Sequence, residues 1–325
     1  MHSSGSSSRY SRQILLDQIG TEGQALLQNK KVAIVGIGAL GTVAAELLSR
    51  AGVGNLILID RDVVEPSNLQ RQTLFDQKDL GKNKVTAAEQ RINQINSEIK
   101  IKSHAVHLNS QNINILQSAD LILDCTDNLQ TRFLINDYCK KEQKLWIYAA
   151  AIKTTGYVMP IFPSGSCLQC FLTESNLETC DTVGVLNTIT VSIASLQATL
   201  ALKLLLGKEV ESILYHYDIW NQSFKKINIK ANKNCPTCAG TFTYLEKKET
   251  SKYIRFCSTG KYQVLGNKEL DLAEIQKRWE KIGKVIQDDA SLQFQNITLF
   301  KDGRALINAN STEEAEALYS KLVGN

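Results

Sequence analysis

Nowhere in the 325-residue sequence do about 18 apolar residues follow one another, the length that a membrane-spanning helix needs. The opening MHSSGSSS is serine-rich and has no apolar segment of a secretory signal. Charge of one sign is not in excess either. The 37 Lys and Arg against 33 Asp and Glu leave a net +4, too little to capture nucleic acid or an anionic membrane by electrostatics. Histidine is scarce, with four in the chain, and none stands beside the motifs described below. These absences lead to the expectation of a cytoplasmic protein whose partners include neither nucleic acid nor membrane. What is present, 43% apolar and 22% charged residues, suffices for one large domain and a smaller one. Residues 1–8 are set aside as a disordered tail or a cloning scar.

The segment KVAIVGIGALG at 31–41 reads as a buried strand, a glycine turn and the start of a helix running to about residue 50. In that context Gly36 permits the tight turn, Gly38 lets a phosphate approach the backbone, and Gly41 lets helix and strand pack closely. The helix N-terminus favours an anion. A second strand over 55–60 ends in Asp60, an acid placed to accept a ribose hydroxyl. A nicotinamide-dependent oxidoreductase would begin in the same way, so these residues alone do not choose the nucleotide.

Eight cysteines, at 125, 139, 167, 170, 180, 235, 238 and 257, favour metal or catalytic use over a disulfide framework. Cys167 and Cys170 form one C-x-x-C knuckle, and Cys235 and Cys238 another. Two such pairs match a four-thiolate tetrahedral zinc site, closed to substrate and therefore structural. The competing readings, a thioredoxin-like pair or an iron–sulfur centre, lack a redox context around either knuckle. Cys125 and Cys139 are expected to be small core residues. Cys257 lies in FCSTGK, a faint likeness to a rhodanese loop without the surrounding pattern.

Further motifs follow in order: EPSNLQRQ at 65–72, LGKNKVTAA at 80–88, and the strand LILD leading into Cys125, Thr126, Asp127 and Asn128. With the glycine turn, this set resembles the MoeB/ThiF/HesA family, relatives of the ubiquitin-activating enzymes, over about residues 9–240. The resemblance implies a Rossmann-like α/β fold with a mixed, mainly parallel sheet, a structural zinc site, and an ATP-dependent adenylyltransferase acting on a small β-grasp sulfur carrier that ends in Gly-Gly. It implies that Asn68, Arg71 and Lys84 contact ATP phosphates, that Asp127 helps to hold magnesium, and that Asn128 belongs to the same site. Ala39 stands where some relatives carry glycine. Asp124 is ranked below Asp127, as an acid that merely caps the next helix.

By the same resemblance, Arg12 in the opening RYSRQILL is an arginine that crosses a dimer interface to the partner's ATP, so a homodimer is expected. Cys180 occupies a position where some members form a thiol-linked adduct with the carrier. It is kept as a candidate nucleophile although no basic residue lies nearby and Asp181 would raise its pKa. A sulfurtransferase is a further expected partner. Molybdopterin or thiamine biosynthesis is the implied setting. Two alternatives remain: a catalytically inactive ThiF-like binding module and, with less in its favour, the oxidoreductase.

Residues 241–252 read as a polar linker, and 253–325 as a small α+β domain in the order β-α-β-β-β-α. Asp271 is the expected N-cap of a helix with Leu272, Ile275, Trp279 and Ile282 on one face. Ser311 and Glu314 open the last helix as a capping box. This domain is expected to support carrier docking or the dimer.

Overall fold

A computed structural model of the chain describes residues 9–173, 183–246, 253–255, 261–264, 269–288, 291–301 and 303–324. Cys180, Cys257 and residues 1–8 lie outside the described residues.

Strands β1 (Lys31–Val35) and β2 (Asn55–Ile59) are each buried over their last four residues. Near-continuous apolar runs of this kind suit parallel strands covered on both faces. With β3 (Lys100–His104), β4 (Leu121–Asp124) and β5 (Trp146–Ile152) they form the parallel part of an eight-stranded sheet of order β3-β2-β1-β4-β5-β6-β7-β8. Strands β6 (Thr155–Ile161), β7 (Ile213–Asp218) and β8 (Ser223–Asn228) continue it antiparallel. The strand order reverses between β1 and β4, where an open α/β sheet leaves a crevice at its carboxyl ends.

Alternate residues of β1 serve two cores. Val32 and Ile34 pack with helices α1 (Ala39–Arg50) and α2 (Lys84–Ile95), whereas Ala33 and Val35 pack with α3 (Leu129–Lys141). Helix α4 (Asn187–Leu205) is long and apolar enough to match a membrane span by composition. It is instead a core helix, with Ile193, Ala194 and Ala201 fully buried. Its Gln197, also fully buried, donates to the carbonyls of Asp124 and Ile147 at 3.0 and 3.1 Å and so pins the ends of β4 and β5.

The second unit is richer in strands than its sequence pattern announces. Six strands, β9 (Tyr253–Arg255), β10 (Lys261–Val264), β11 (Ile286–Asp288), β12 (Ser291–Phe294), β13 (Ile297–Phe300) and β14 (Ala305–Asn308), form an antiparallel sheet of order β11-β12-β13-β14-β10-β9. The sequence pattern indicates four strands where six are found; at the β12–β13 turn Gln295 takes φ +50° with no glycine to mark it. Asp271 caps α5 (Leu272–Trp279) as expected, accepting from the N–H groups of Ala273 and Glu274. The helix stops at Trp279, which leaves Ile282 exposed, unlike Ile275 and Trp279 on the expected face. Ser311 caps α6 (Thr312–Leu322) through the Glu314 N–H, while the Glu314 carboxylate reaches back to Asn310 N at 2.7 Å, one residue beyond a simple capping box.

Candidate active site

A cavity of about 820 Å³ opens at the carboxyl ends of the parallel strands. One end of it is the glycine turn. Gly36 has φ +87°, and a Cβ there would lie 2.7 Å from the carbonyl oxygen of Cys125, so both conformation and space require glycine. A Cβ on Gly41 would sit 1.9 Å from the Gly36 oxygen; this residue permits helix–strand packing and does not itself line the cavity. Gly38 differs: an added Cβ would meet only Gln72 Nε2, at 3.8 Å. The backbone there faces the opening, with Ala39 starting α1 beside it. An anion at this point meets N–H groups and the positive end of the helix dipole.

The acids and the lysine converge on the same wall. Asp60 follows β2 directly, one residue beyond the strand's end at Ile59, and its carboxylate accepts from Ile37 N at 2.6 Å and Asp62 N at 2.8 Å, which ties the loop after β2 to the glycine turn. Lys84 is the first residue of α2 and is nearly fully buried, its Nζ 3.4 Å from Asp62. Burial disfavours its charge, but Asp62, Asp60 and Asp127 outweigh that and hold its pKa above the ordinary lysine value. Burial also pushes the Asp60 carboxyl upward, against the pull of Lys84. In Asp62 the opposing attraction of Lys84, Arg61 and Arg304 exceeds the burial effect, and its pKa is lowered. The chain therefore keeps a buried cation in place on the cavity wall.

Arg71, Asn68 and Asn128 line the cavity, each held locally. Arg71 donates to the Ser67 carbonyl at 2.8 Å, Asn68 accepts from Glu65 N at 3.1 Å, and Asn128 caps α3 through Thr131 N at 2.9 Å. Asp127 is exposed on the cavity wall at the mouth of that helix. An exposed carboxylate beside a phosphate cradle is the donor that magnesium takes with few protein ligands, so the residues present fit this ion. Asp124, fully buried, bonds Thr126 N and Oγ1 at 2.9 and 2.7 Å and pairs with Arg132 at 3.4 Å. It does not line the cavity and does not cap the next helix, the role expected of it; Asn128 is that cap, and Asp124 instead anchors Thr126 and Arg132.

Several lining residues were not found in the sequence. Asp62 was passed over beside Asp60, and buried Gln72 beside Arg71. Arg132 donates to the Thr126 carbonyl at 2.5 Å and lies 5.2 Å from the Tyr148 ring centre. Its signal was a cation one turn beyond the Asn128 cap. His107 also reaches the wall, 3.0 Å from Arg61, so histidine is absent from the motifs but not from the site. Arg12 is exposed and does not line its own cavity.

The four predicted thiolates come together, with all Sγ atoms within 4.8 Å of one another. Their nearest separations are 3.4 Å for Cys167–Cys235, 3.6 Å for Cys170–Cys238 and 3.9 Å for Cys167–Cys170. A tetrahedron with zinc–sulfur bonds of about 2.3 Å has edges of about 3.8 Å, so the group fits zinc. Helix α3 organises both knuckles: Asn136 accepts from Leu168 N at 2.8 Å, and Asp137 from Thr237 Oγ1 at 2.7 Å. The same helix thus carries the Asn128 end of the nucleotide site and the outer support of the thiolates. Cys125 and Cys139 are buried, as expected.

Residues 10–237 match the model of the ThiF family. The chain belongs to that family. Among similar proteins is the sulfur carrier protein ThiS adenylyltransferase of Bacillus subtilis, 35% identical, with 97% of this chain and 99% of that protein covered. Another is the sulfur carrier protein adenylyltransferase of Thermus thermophilus, 34% identical over 77% of this chain and 96% of that one. Of solved structures, E. coli MccB with ATP superimposes with a TM-score of 0.63 at 25% identity, covering 73% of this chain and 75% of that one. The Bacillus and Thermus proteins are named as adenylyltransferases, and the oxidoreductase reading has no support from them.

Proposed function

We propose that this ThiF-family enzyme adenylylates the C-terminal carboxylate of a small β-grasp sulfur carrier ending in Gly-Gly. The observation that carries the reading is the shape of the cavity. It runs from the glycine turn and Lys84, past Asp127, to a second end lined by Tyr148, Tyr157, Phe171 and Leu214. One end suits a nucleotide, and the other suits the extended tail of a protein. A carrier carboxylate oxygen attacks the α-phosphorus, the bond to the α,β-bridging oxygen breaks, and acyl-adenylate and pyrophosphate result.

A carboxylate is already ionised near pH 7, so no general base is needed once it is positioned. Lys84, Arg71 and the N-terminus of α1 offset charge that develops on phosphorus and pyrophosphate. Asp60 orients the ribose, and Asn68 positions the phosphates. Magnesium, held by Asp127, would supply charge neutralisation on the phosphate oxygens. Zinc on the four cysteines would close the fold outside the reaction path.

The thiocarboxylate that follows requires a sulfur donor, the chemistry of a sulfurtransferase. Because Arg12 lies away from its own cavity, its contact with ATP is assigned to a second copy in a two-fold dimer. A cytosolic location agrees with a site built from unoxidised thiols.

ATP–pyrophosphate exchange, measured with a panel of Gly-Gly-ended carriers, tests the reading. One carrier should support exchange with ATP and magnesium, and Asp127→Ala and Arg71→Ala should each abolish it. ATP binding without exchange for any carrier would favour a binding module instead.

A further inference from the structure

The second unit lies against the nucleotide end of the first and contributes Leu306 to the cavity wall. Val63, Phe300 and Leu306 form a small cluster of their own between the units. Beside it Arg304 is 2% exposed, a costly position for a guanidinium unless its donors are satisfied. Its Nη1 donates to the Arg61 carbonyl at 2.5 Å and its Nη2 to the Ala105 carbonyl at 3.1 Å. The Phe300 ring centre lies 3.7 Å from the guanidinium carbon. Tyr319 holds this hairpin from the other side by donating to the Gly303 carbonyl at 2.7 Å.

Arg61 and Ala105 belong to different loops, those after β2 and β3. The first continues into Asp62, Val63 and Val64, which pair with the segment leading to Lys84: Lys84 N donates to Asp62 O at 3.0 Å, and Val64 N to Lys82 O at 2.9 Å. The second continues into His107 on the cavity wall. A planar fork with fixed donors bonds both loops at once, a constraint that a flexible ammonium reproduces only in part.

We propose that Arg304 is a positioning residue for the nucleotide site, tying the loops after β2 and β3 together and thereby fixing Asp62 against Lys84. The inference rests on the reading of this cavity as the ATP site. On this account the C-terminal unit completes that site, in addition to any role in docking or assembly. Its buried arginine acts through backbone carbonyls and through its charge near Asp62, and touches no reacting atom.

The test uses the full chain with Arg304→Ala, Arg304→Lys and Arg278→Ala. Arg278 donates to the carbonyls of Leu322 and Val323 within the second unit and serves as a control for its stability. Melting curves confirm folding, calorimetry with a non-hydrolysable ATP analogue and magnesium gives affinity, and exchange gives KM and kcat. Arg304→Ala should weaken the analogue and raise KM for ATP about tenfold, with KM for the carrier changed less than about twofold. Arg304→Lys should recover part of the loss, and Arg278→Ala should lower Tm without changing analogue affinity.

Wild-type affinity in Arg304→Ala, or an equal loss in Arg278→Ala, would overturn the proposal. If no carrier supports exchange but Arg304→Ala still weakens the analogue selectively, the positioning role stands and the carrier assignment falls. If the wild-type chain binds no analogue, both fall together.

Discussion

The two units of this chain bury different things. The first encloses Lys84, Asp124 and Asp137, each answered by opposite charge or by hydrogen-bond donors. The second has a core of Trp279, Phe294, Leu299 and Ile307, and among its described residues Arg304 is the one buried charged side chain. That arginine points out of its own unit, to carbonyls of the first. Buried charge is expensive, so its location separates a unit built for chemistry from one built for packing. The exception marks where packing serves the chemistry.

The largest effect that would sharpen this contrast is at Lys84. Lys84→Ala should reduce carrier-dependent exchange about 10³-fold, since it removes a fixed cation from the phosphates, while the circular dichroism spectrum stays native. Retained exchange would remove Lys84 from the chemistry. Next, Cys235→Ala should cost the chain its zinc by metal analysis and lower Tm by on the order of 10 °C. A variant that keeps both its Tm and its zinc would show that the thiolates are not a structural site.

In the packing unit, Trp279→Ala should destabilise by about 3–5 kcal/mol through a cavity beside Phe294, whose ring centre lies 5.3 Å away. Denaturant unfolding would check this. A much smaller cost would mean that the core of the second unit is loosely packed.

The pH dependence follows from the raised pKa of Lys84. Its stabilising charge is fully present below the unfolded lysine value and is lost only as pH rises through the still higher folded value. Affinity for an ATP analogue should therefore not fall because of Lys84 between roughly pH 7 and 9. A fall there that vanishes in Lys84→Arg would contradict the arrangement. The smallest effect concerns Cys125 and Cys139, whose thiols burial pushes well above the ordinary value. Neither should react with iodoacetamide in the native chain, as peptide mass spectrometry would reveal.

Local rules were legible in the sequence where the chain obeys its own neighbours. Gly36, Gly41, the strand Leu121–Asp124 and the Asp271 cap follow from backbone geometry and short-range hydrogen bonds. Lys84 and Arg71 entered by family resemblance, because a lysine at a helix start is otherwise an ordinary surface residue. The number of strands in the second unit was not legible, in part because the β12–β13 turn puts Gln295, not glycine, at positive φ.

Sequence by itself determined the glycine turn, the two thiolate knuckles, the apolar strands and the family. Each depends on residue type at a fixed short spacing, which the chain cannot alter. Only the tertiary structure decided that Asp62 faces Lys84, that α3 supports the nucleotide site at one end and the thiolates at the other, and that Arg304 reaches the loop after β2 from the far end of the chain. These are contacts between elements distant in sequence, set by how the sheet orders its strands and where the second unit packs; no local periodicity encodes either.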